Sequence, residues 1–295
     1  MDNYIFETLE RDSPILILGM SGGGDLTSAY LMKRKLESWK FDKVLYGTCQ
    51  SILNADICDF YNSSTIYVPF FEELLEFIRE DFMVVTFQSG LRHTFTQFEK
   101  ILKREKIKYV LGVNGGGNLV CSGLEKEILS PALGSLSLAL LNLLKVENRL
   151  CIIGPGIAGG ITPKEFEQNL HSIKLMKGLV GSSWINEKDL KLLRVINTFR
   201  ERNKFFSRSN KALQMALDGF RGKHTIGRTE VNLQEISTKI FWFKTSTVSK
   251  FNPFTSLVKR SKSIYEAYEL INNWLADHRK SENDLHIKEE SKRGD

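Results

Sequence analysis

The chain has 295 residues, 42% of them hydrophobic and 26% charged, with a formal net charge of +6. This is an ordinary globular composition, with enough chain to bury a substantial core in one large domain or two modest ones. It holds no apolar run of roughly 18 residues or more, which argues against a membrane-spanning helix.

The acidic opening MDNYIFETLERDSP lacks the basic-then-apolar layout of a secretory signal. Cys49, Cys58, Cys121 and Cys151 are scattered without a C-x-x-C pair. That pattern predicts reduced thiols in a cytoplasmic protein, with no disulfide frame and no zinc site.

In chain order, apolar runs predict strands at 15–19, 43–47, 65–68, 83–87, 109–113 and 150–153. Segments with helical apolar spacing fall between them at 26–39, 70–80, 94–106 and 133–144. This alternation predicts an α/β fold: a parallel, doubly wound, Rossmann-like sheet over residues 1–180, with ligands gathering at the carboxyl ends of the strands. Thr162-Pro163 ahead of KEFEQNL reads as a helix N-cap followed by proline in the first turn.

After about residue 181 the texture changes. Helices are expected at 187–206, 209–220 and 261–280, with KIFWFKT as a strand. Residues 181–280 form either a second lobe or a wrap around the first, and 281–295 a flexible charged tail. From Glu187 to Lys262, 17 Lys and Arg stand against 6 Asp and Glu. Such an excess attracts phosphates, nucleic acid or an acidic protein face, and it also fits a solvated basic face.

Two nine-residue stretches nearly repeat: LGMSGGGDL at 18–26 and LGVNGGGNL at 111–119. Each follows an apolar strand and is expected to open a helix. Glycines permit positive φ and close ligand approach, and their N–H groups at a helix start form an anion-binding concavity. On a parallel sheet both turns would share one edge and face one ligand.

The candidate binding residues are therefore Ser21, Gly22, Gly23 and Gly24 in the first turn, and Asn114, Gly115, Gly116, Gly117 and Asn118 in the second. A structural alternative gives the glycines to tight packing and makes Asp25 and Asn118 helix caps. A functional Asp25 beside a phosphate implies Mg²⁺ between them, or a sugar hydroxyl contact. As a cap alone, Asp25 would tolerate replacement by asparagine within about 1 kcal/mol.

A third turn, GPGIAGG at 154–160, formally fits G-x-G-x-x-G and adds Gly154 and Gly156. Pro155 removes a donor there, and no strand with a terminal acid follows at the expected distance. No Walker sequence is present. GMSGG also matches G-x-S-x-G, but Asn114 replaces the serine in the repeat and none of the five histidines is a compelling base; His93 reads as a helix-start or surface residue.

The segments GMSGGGDLTSAYL, VLGVNGGGNLVCSGLEKEILSPAL, IIGPGIAGGITPKEF, EVNLQEISTKIFWF and FNPFTSLVKRSKSIYEAYELI resemble domain-of-unknown-function family 1152, found largely in archaea. The resemblance spans most of the chain and implies no particular activity. It implies acids near positions 118, 134, 158 and 160, where this chain has Asn118, Gly134, Ala158 and Gly160. The glycine frame is kept without those carboxylates, which favours binding over metal-assisted catalysis. A narrower resemblance links SGGGD to the S-G-G-x-D-S loop of the ATP-pyrophosphatase superfamily, which adenylates substrates; Leu26 stands in place of its second serine.

The expected function is binding of a nucleotide or other phosphorylated metabolite across the two turns. If Mg²⁺-assisted phosphoryl or adenylyl transfer occurs, Asp25 (also the metal ligand) and Glu125 are its catalytic candidates. The alternatives are a catalytically degenerate binding or regulatory protein, and an RNA-associated protein using the basic second half, where FRERNKFFSR interleaves aromatic and basic residues. No membrane partner is expected, and homo-oligomerisation is left open.

Overall fold

The computed structural model describes residues 10–51, 56–61, 77–128, 131–202 and 207–291. The strands are β1 (Ile15–Gly19), β2 (Val44–Gln50), β3 (Cys58–Tyr61), β4 (Phe82–Thr86), β5 (Tyr109–Gly115), β6 (Glu147–Ile153), β7 (Leu179–Trp184), β8 (Gly222–Ile226), β9 (Thr229–Leu233) and β10 (Lys239–Phe243). The helices are α1 (Gly22–Ser38), α2 (Gly90–Arg104), α3 (Pro131–Leu143), α4 (Pro163–Leu175), α5 (Glu187–Arg202), α6 (Arg208–Leu217), α7 (Thr245–Phe251), α8 (Pro253–Val258) and α9 (Ile264–Ser291).

Eight strands form one sheet in the order β3-β4-β2-β1-β5-β6-β10-β7, and β8 and β9 pair as a separate hairpin. From β4 to β6 every pairing is parallel. β3 runs antiparallel to β4, and β10 runs antiparallel to both β6 and β7. The expected α/β architecture is thus present.

The central strands read as continuous apolar runs because both faces are covered; all five residues of β1 are buried. One face packs against α2, α3, α4, α7, α8 and α9 through residues such as Phe98, Leu136, Phe166, Phe254 and Ile271. The other packs against α1, α5, α6 and the hairpin through Leu26, Leu193, Ile196, Leu213 and Val231. Residues Ala132 to Leu141 of α3 are all buried, because α3 lies between the sheet and α7–α9. A helix apolar on every side is what that position requires.

Three expectations change. The boundary near residue 180 falls inside β7, and β10 from the second half is inserted between β6 and β7. The second half therefore wraps the sheet and completes it. Its basic residues are split accordingly: α5, α6 and the hairpin lie on one face, α7 and α8 on the other. The backbone of α9 remains helical to Ser291, past the expected stop at 280, in a segment rich in helix-forming Glu and Lys. The strand expected at 65–68 and most of the helix expected at 70–80 lie outside the described residues.

Because β10 is interior to the sheet, its core residues should govern the stability of both halves. Trp242 is fully buried. Trp242→Ala is expected to lower the unfolding free energy by about 3–5 kcal/mol, read from urea denaturation followed by far-UV circular dichroism. A loss well below 1 kcal/mol would mean that β10 does not hold the sheet together.

Candidate functional site

Chain direction fixes where a site can form. From β1 the chain passes to β2 on one side, while β5 and β6 lie on the other. The β1–β5 boundary is therefore the topological switch point, where the carboxyl ends of parallel strands leave a crevice. Gly19 pairs with Val113, and Gly115 with Ile153, so the three glycine-rich turns stand side by side on one edge. The two repeats share an edge as their strand positions imply.

Their local structures nevertheless differ. In the first turn Gly22 (φ +70°) opens α1, and its N-cap, Ser21, makes no side-chain capping bond. In the second, no helix follows: Gly116 and Gly117 turn back at φ +94° and +89°, and α3 begins only at Pro131. Asn118 is consequently not a helix cap. Gly115, Gly116 and Gly117 are all buried. A side chain at Gly116 would collide with Ala158, and one at Gly117 would come within 2.8 Å of the Phe166 ring. The second triple glycine serves close packing beneath the third turn.

The third turn is locked to its neighbours through its own donors. Gly154 N–H donates to the Lys239 carbonyl and Gly156 N–H to the Gly116 carbonyl. Neither group is left for an anion. Gly160 packs so closely on Asn118 that a Cβ would lie 2.8 Å from its amide nitrogen. The α4 start nearby is capped as the sequence indicates: Thr162 and Glu165 form a reciprocal capping box.

Asp25 connects the first two turns. Its Oδ2 accepts from Ser21 N–H (2.7 Å), Ser21 Oγ–H (3.0 Å) and Asn114 Nδ2 (3.1 Å), and its Oδ1 accepts from Gly115 N–H (2.7 Å). Three donors converge on Oδ2 and one on Oδ1, so both oxygens are engaged by structural groups. As placed, Asp25 is a buried latch between the first two turns. Burial pushes its pKa up to about 7, with the four hydrogen bonds opposing the rise.

Glu125 is also buried and is not on a helix surface. It accepts from Ser122 N–H (2.7 Å), Ser122 Oγ–H (2.9 Å), Gly123 N–H (3.0 Å) and Asn169 Nδ2 (2.6 Å), so it too is held by structural donors. The structure does not bring Glu125 to Asp25's latch. Among the described residues, no group of three His, Cys, Asp or Glu side chains is arranged to hold a metal ion. His93 is exposed in the first turn of α2. The Ser21 hydroxyl engages Asp25 and Asn114.

The remaining parts of the edge come from elements that periodicity did not assign to it. The first turn of α3 approaches Ser21: a Cβ on Gly134 would lie 3.8 Å from Ser21 Cβ. The start of α6 covers Gly24, where a Cβ would strike Ser209 Oγ. Arg208 donates to Thr229 Oγ1 in the hairpin, and Thr229 in turn packs over Gly159. Beside this roof opens a cleft of about 410 Å³, lined by Gly159, Gly160, Thr162, Lys223, Glu230 and Asn232. Ser207, the N-cap of α6, was readable as a cap signal in SRSN; the long-range approach of Ser209 to Gly24 was not.

The family described as "Protein of unknown function (DUF1152)" matches residues 51–277. The chain belongs to this family. The match includes the second and third glycine turns, while the first lies ahead of it. No curated protein and no solved structure matches the chain.

The latch changes the expectation for Asp25→Asn. An amide can replace only one oxygen as acceptor, so its NH₂ must face an N–H donor. The expected loss is about 1–3 kcal/mol, not the smaller loss of a simple cap. The sign of the pH effect follows from the raised folded pKa, since the folded state binds the proton more tightly. Stability from Asp25 is full below its unfolded value near 3.8 and falls as pH rises toward about 7. Denaturation of both proteins from pH 4 to 8 should show the wild-type advantage shrinking over that window. An advantage that grows with pH would contradict the burial argument.

Proposed function

We propose that the chain binds a nucleotide or other phosphorylated metabolite at the carboxyl edge of its sheet, with an anionic group held at the first glycine turn. The observation carrying this reading is the meeting of three helix starts there. α1 begins at Gly22, the first turn of α3 lies beside Ser21, and the first turn of α6 lies beside Gly24. Each helix start presents N–H groups and the positive end of its dipole. Gly22 has no atom within 4 Å of a would-be Cβ, so the backbone is open on that side.

Binding is preferred over transfer chemistry because both acid candidates, Asp25 and Glu125, are committed to structural hydrogen bonds. Recognition would then be by backbone N–H groups and hydroxyls, with the cleft between the third turn and the hairpin available to the rest of the ligand. The latch engages both Asp25 oxygens with structural donors, so this mode does not rest on Asp25 as a Mg²⁺ ligand.

The test is thermal unfolding of the full chain with a panel of nucleotides and sugar phosphates, with and without Mg²⁺. A ligand at about 100 times its Kd should add about 2.7 kcal/mol of stability, in both conditions. Ser209→Asp places a carboxylate over Gly24 at a position where helix starts tolerate acids, and it should remove the response while preserving the fold. No stabilisation by any phosphorylated compound, or an undiminished response in Ser209→Asp, would refute the proposal. A response only with Mg²⁺ would favour metal-assisted transfer.

A further inference from the structure

The edge where the parallel strands begin lies opposite the glycine turns. Across β5, β6, β10 and β7 every strand meets an exposed lysine there. Lys106 and Lys108 precede β5, Lys145 precedes β6, Lys244 follows β10 and Lys177 precedes β7. β10 runs antiparallel to its neighbours, so its end falls beside their beginnings, and Lys244 N–H donates to the Gly178 carbonyl. Neighbouring strands stand about 4.8 Å apart, so these cations form one row. Lys103, at the end of α2, joins Lys106, Lys108 and Lys145 around a concavity of about 390 Å³.

None of these lysines is ion-paired with a described residue. The acids of this stretch, Glu105 and Glu147, are held by Arg104 and Arg149, and Glu99 lies a turn further back along α2. Lys106 and Lys177 occupy left-handed backbone (φ +56° and +55°) in helix-ending turns that usually take glycine, as Gly219 does after α6. Side chains are strained in that conformation, yet a charged one stands at both ends. Exposed apolar side chains interleave with the row. Leu143 (42%) closes α3 just before Lys145, and Leu175 (72%) and Met176 (45%) close α4 just before Lys177.

We infer that this edge docks on an anionic lipid surface, the lysines facing the headgroups while Leu143, Leu175 and Met176 enter the interface. Basic charge combined with exposed aliphatic side chains is what such a surface recognises. A groove for single-stranded nucleic acid pairs its cations with aromatic rings for base stacking, and none of the exposed large aromatics stands in this row. Among the described residues no helix is long and apolar enough to cross a membrane, so the contact is with the surface alone. The carboxyl edge, with its first glycine turn, faces away from the lipid and stays open. Composition pointed away from a membrane partner because these residues are scattered over separate segments, and only the sheet gathers them.

Co-sedimentation of the full chain with vesicles tests the inference, phosphatidylcholine alone against its equimolar mixture with phosphatidylglycerol. The chain should bind the mixed vesicles, ignore phosphatidylcholine, and come off as salt rises. Lys106→Gly and Lys177→Gly relieve the left-handed backbone while removing charge, so circular dichroism should show an intact fold. Each should weaken partitioning into the mixed vesicles about fivefold. Leu175→Ser with Met176→Ser should also weaken it, and by the same factor at low and high salt, because apolar burial is not screened. No binding to the mixed vesicles, equal binding to both kinds, or partitioning indifferent to either set of variants overturns the inference. Lysine-dependent binding of a single-stranded RNA oligonucleotide by a chain that leaves the vesicles free would assign the row to nucleic acid instead.

Discussion

A single buried carboxylate joins the parts of this protein that face its switch point. Asp25 sits at the start of α1, and its two oxygens accept from donors of the first turn and of the end of β5. The contact demands that backbones come close. A Cβ on Gly19 would lie 2.8 Å from the Asp25 carbonyl group, and one on Gly115 would lie 3.3 Å from both Asp25 Oδ1 and Ser28 Oγ. The repeat of the glycine sequence thus has a physical cause beyond ligand binding. The first copy supplies the latch, and the second supplies the space and the N–H that receive it. Asn114 replaces Ser21 at the matching position because its longer amide reaches back to the carboxylate.

The same solution is used again one strand away. Glu125 is satisfied by a serine N–H, that serine's hydroxyl, a glycine N–H and an asparagine amide, the same four donor types that surround Asp25. Asn169, its amide donor, also binds the Val120 carbonyl, which ties the loop after the second turn to α4. Burying a carboxylate is costly unless each acceptor site is filled. With both acids held in this way, hydrogen bonds give the edge a rigid frame. A rigid frame also holds backbone donors in fixed positions, a requirement for recognising an anion through N–H groups alone.

Much of this was legible in the sequence. β1, β5 and β6 announce themselves as apolar runs because they are buried on both faces, and Thr162-Pro163 marked a capped helix start. The glycine turns were found by repetition, and their common edge followed from parallel pairing. What escaped was every feature fixed by distant contacts. β7 is half-exposed and carries Gly181, Ser182 and Ser183, so neither alternation nor an apolar run marks it. The latch was invisible because sequence gives no distance between Asp25 and Gly115. A helix was expected after Asn118 because its context matches that of Asp25 for nine residues, whereas the chain then turns beneath residues 154–160 and starts no helix. The basic stretch suggested one patch, yet alternate packing on both faces of the sheet divides it.

The candidate site also explains why the two halves cannot be assigned separate tasks. The chain leaves the sheet after β7 and returns at β10, the strand beside it. The excursion between them forms α5, α6 and the hairpin, which lie over the glycine edge. Its two ends are fixed in neighbouring strands, while its interior is held by Leu193, Ile196 and Leu213 packed against α1 and the sheet. Contacts between the roof and the turns are different in kind: Ser209 over Gly24 and Thr229 over Gly159 are small polar side chains against backbone. Apolar packing thus anchors the roof at a distance from the turns, where the Ser209 hydroxyl meets Gly24 and the Thr229 methyl packs on Gly159. A ligand bridging the first turn and α6 would therefore tighten the excursion against the sheet without altering the core beneath it.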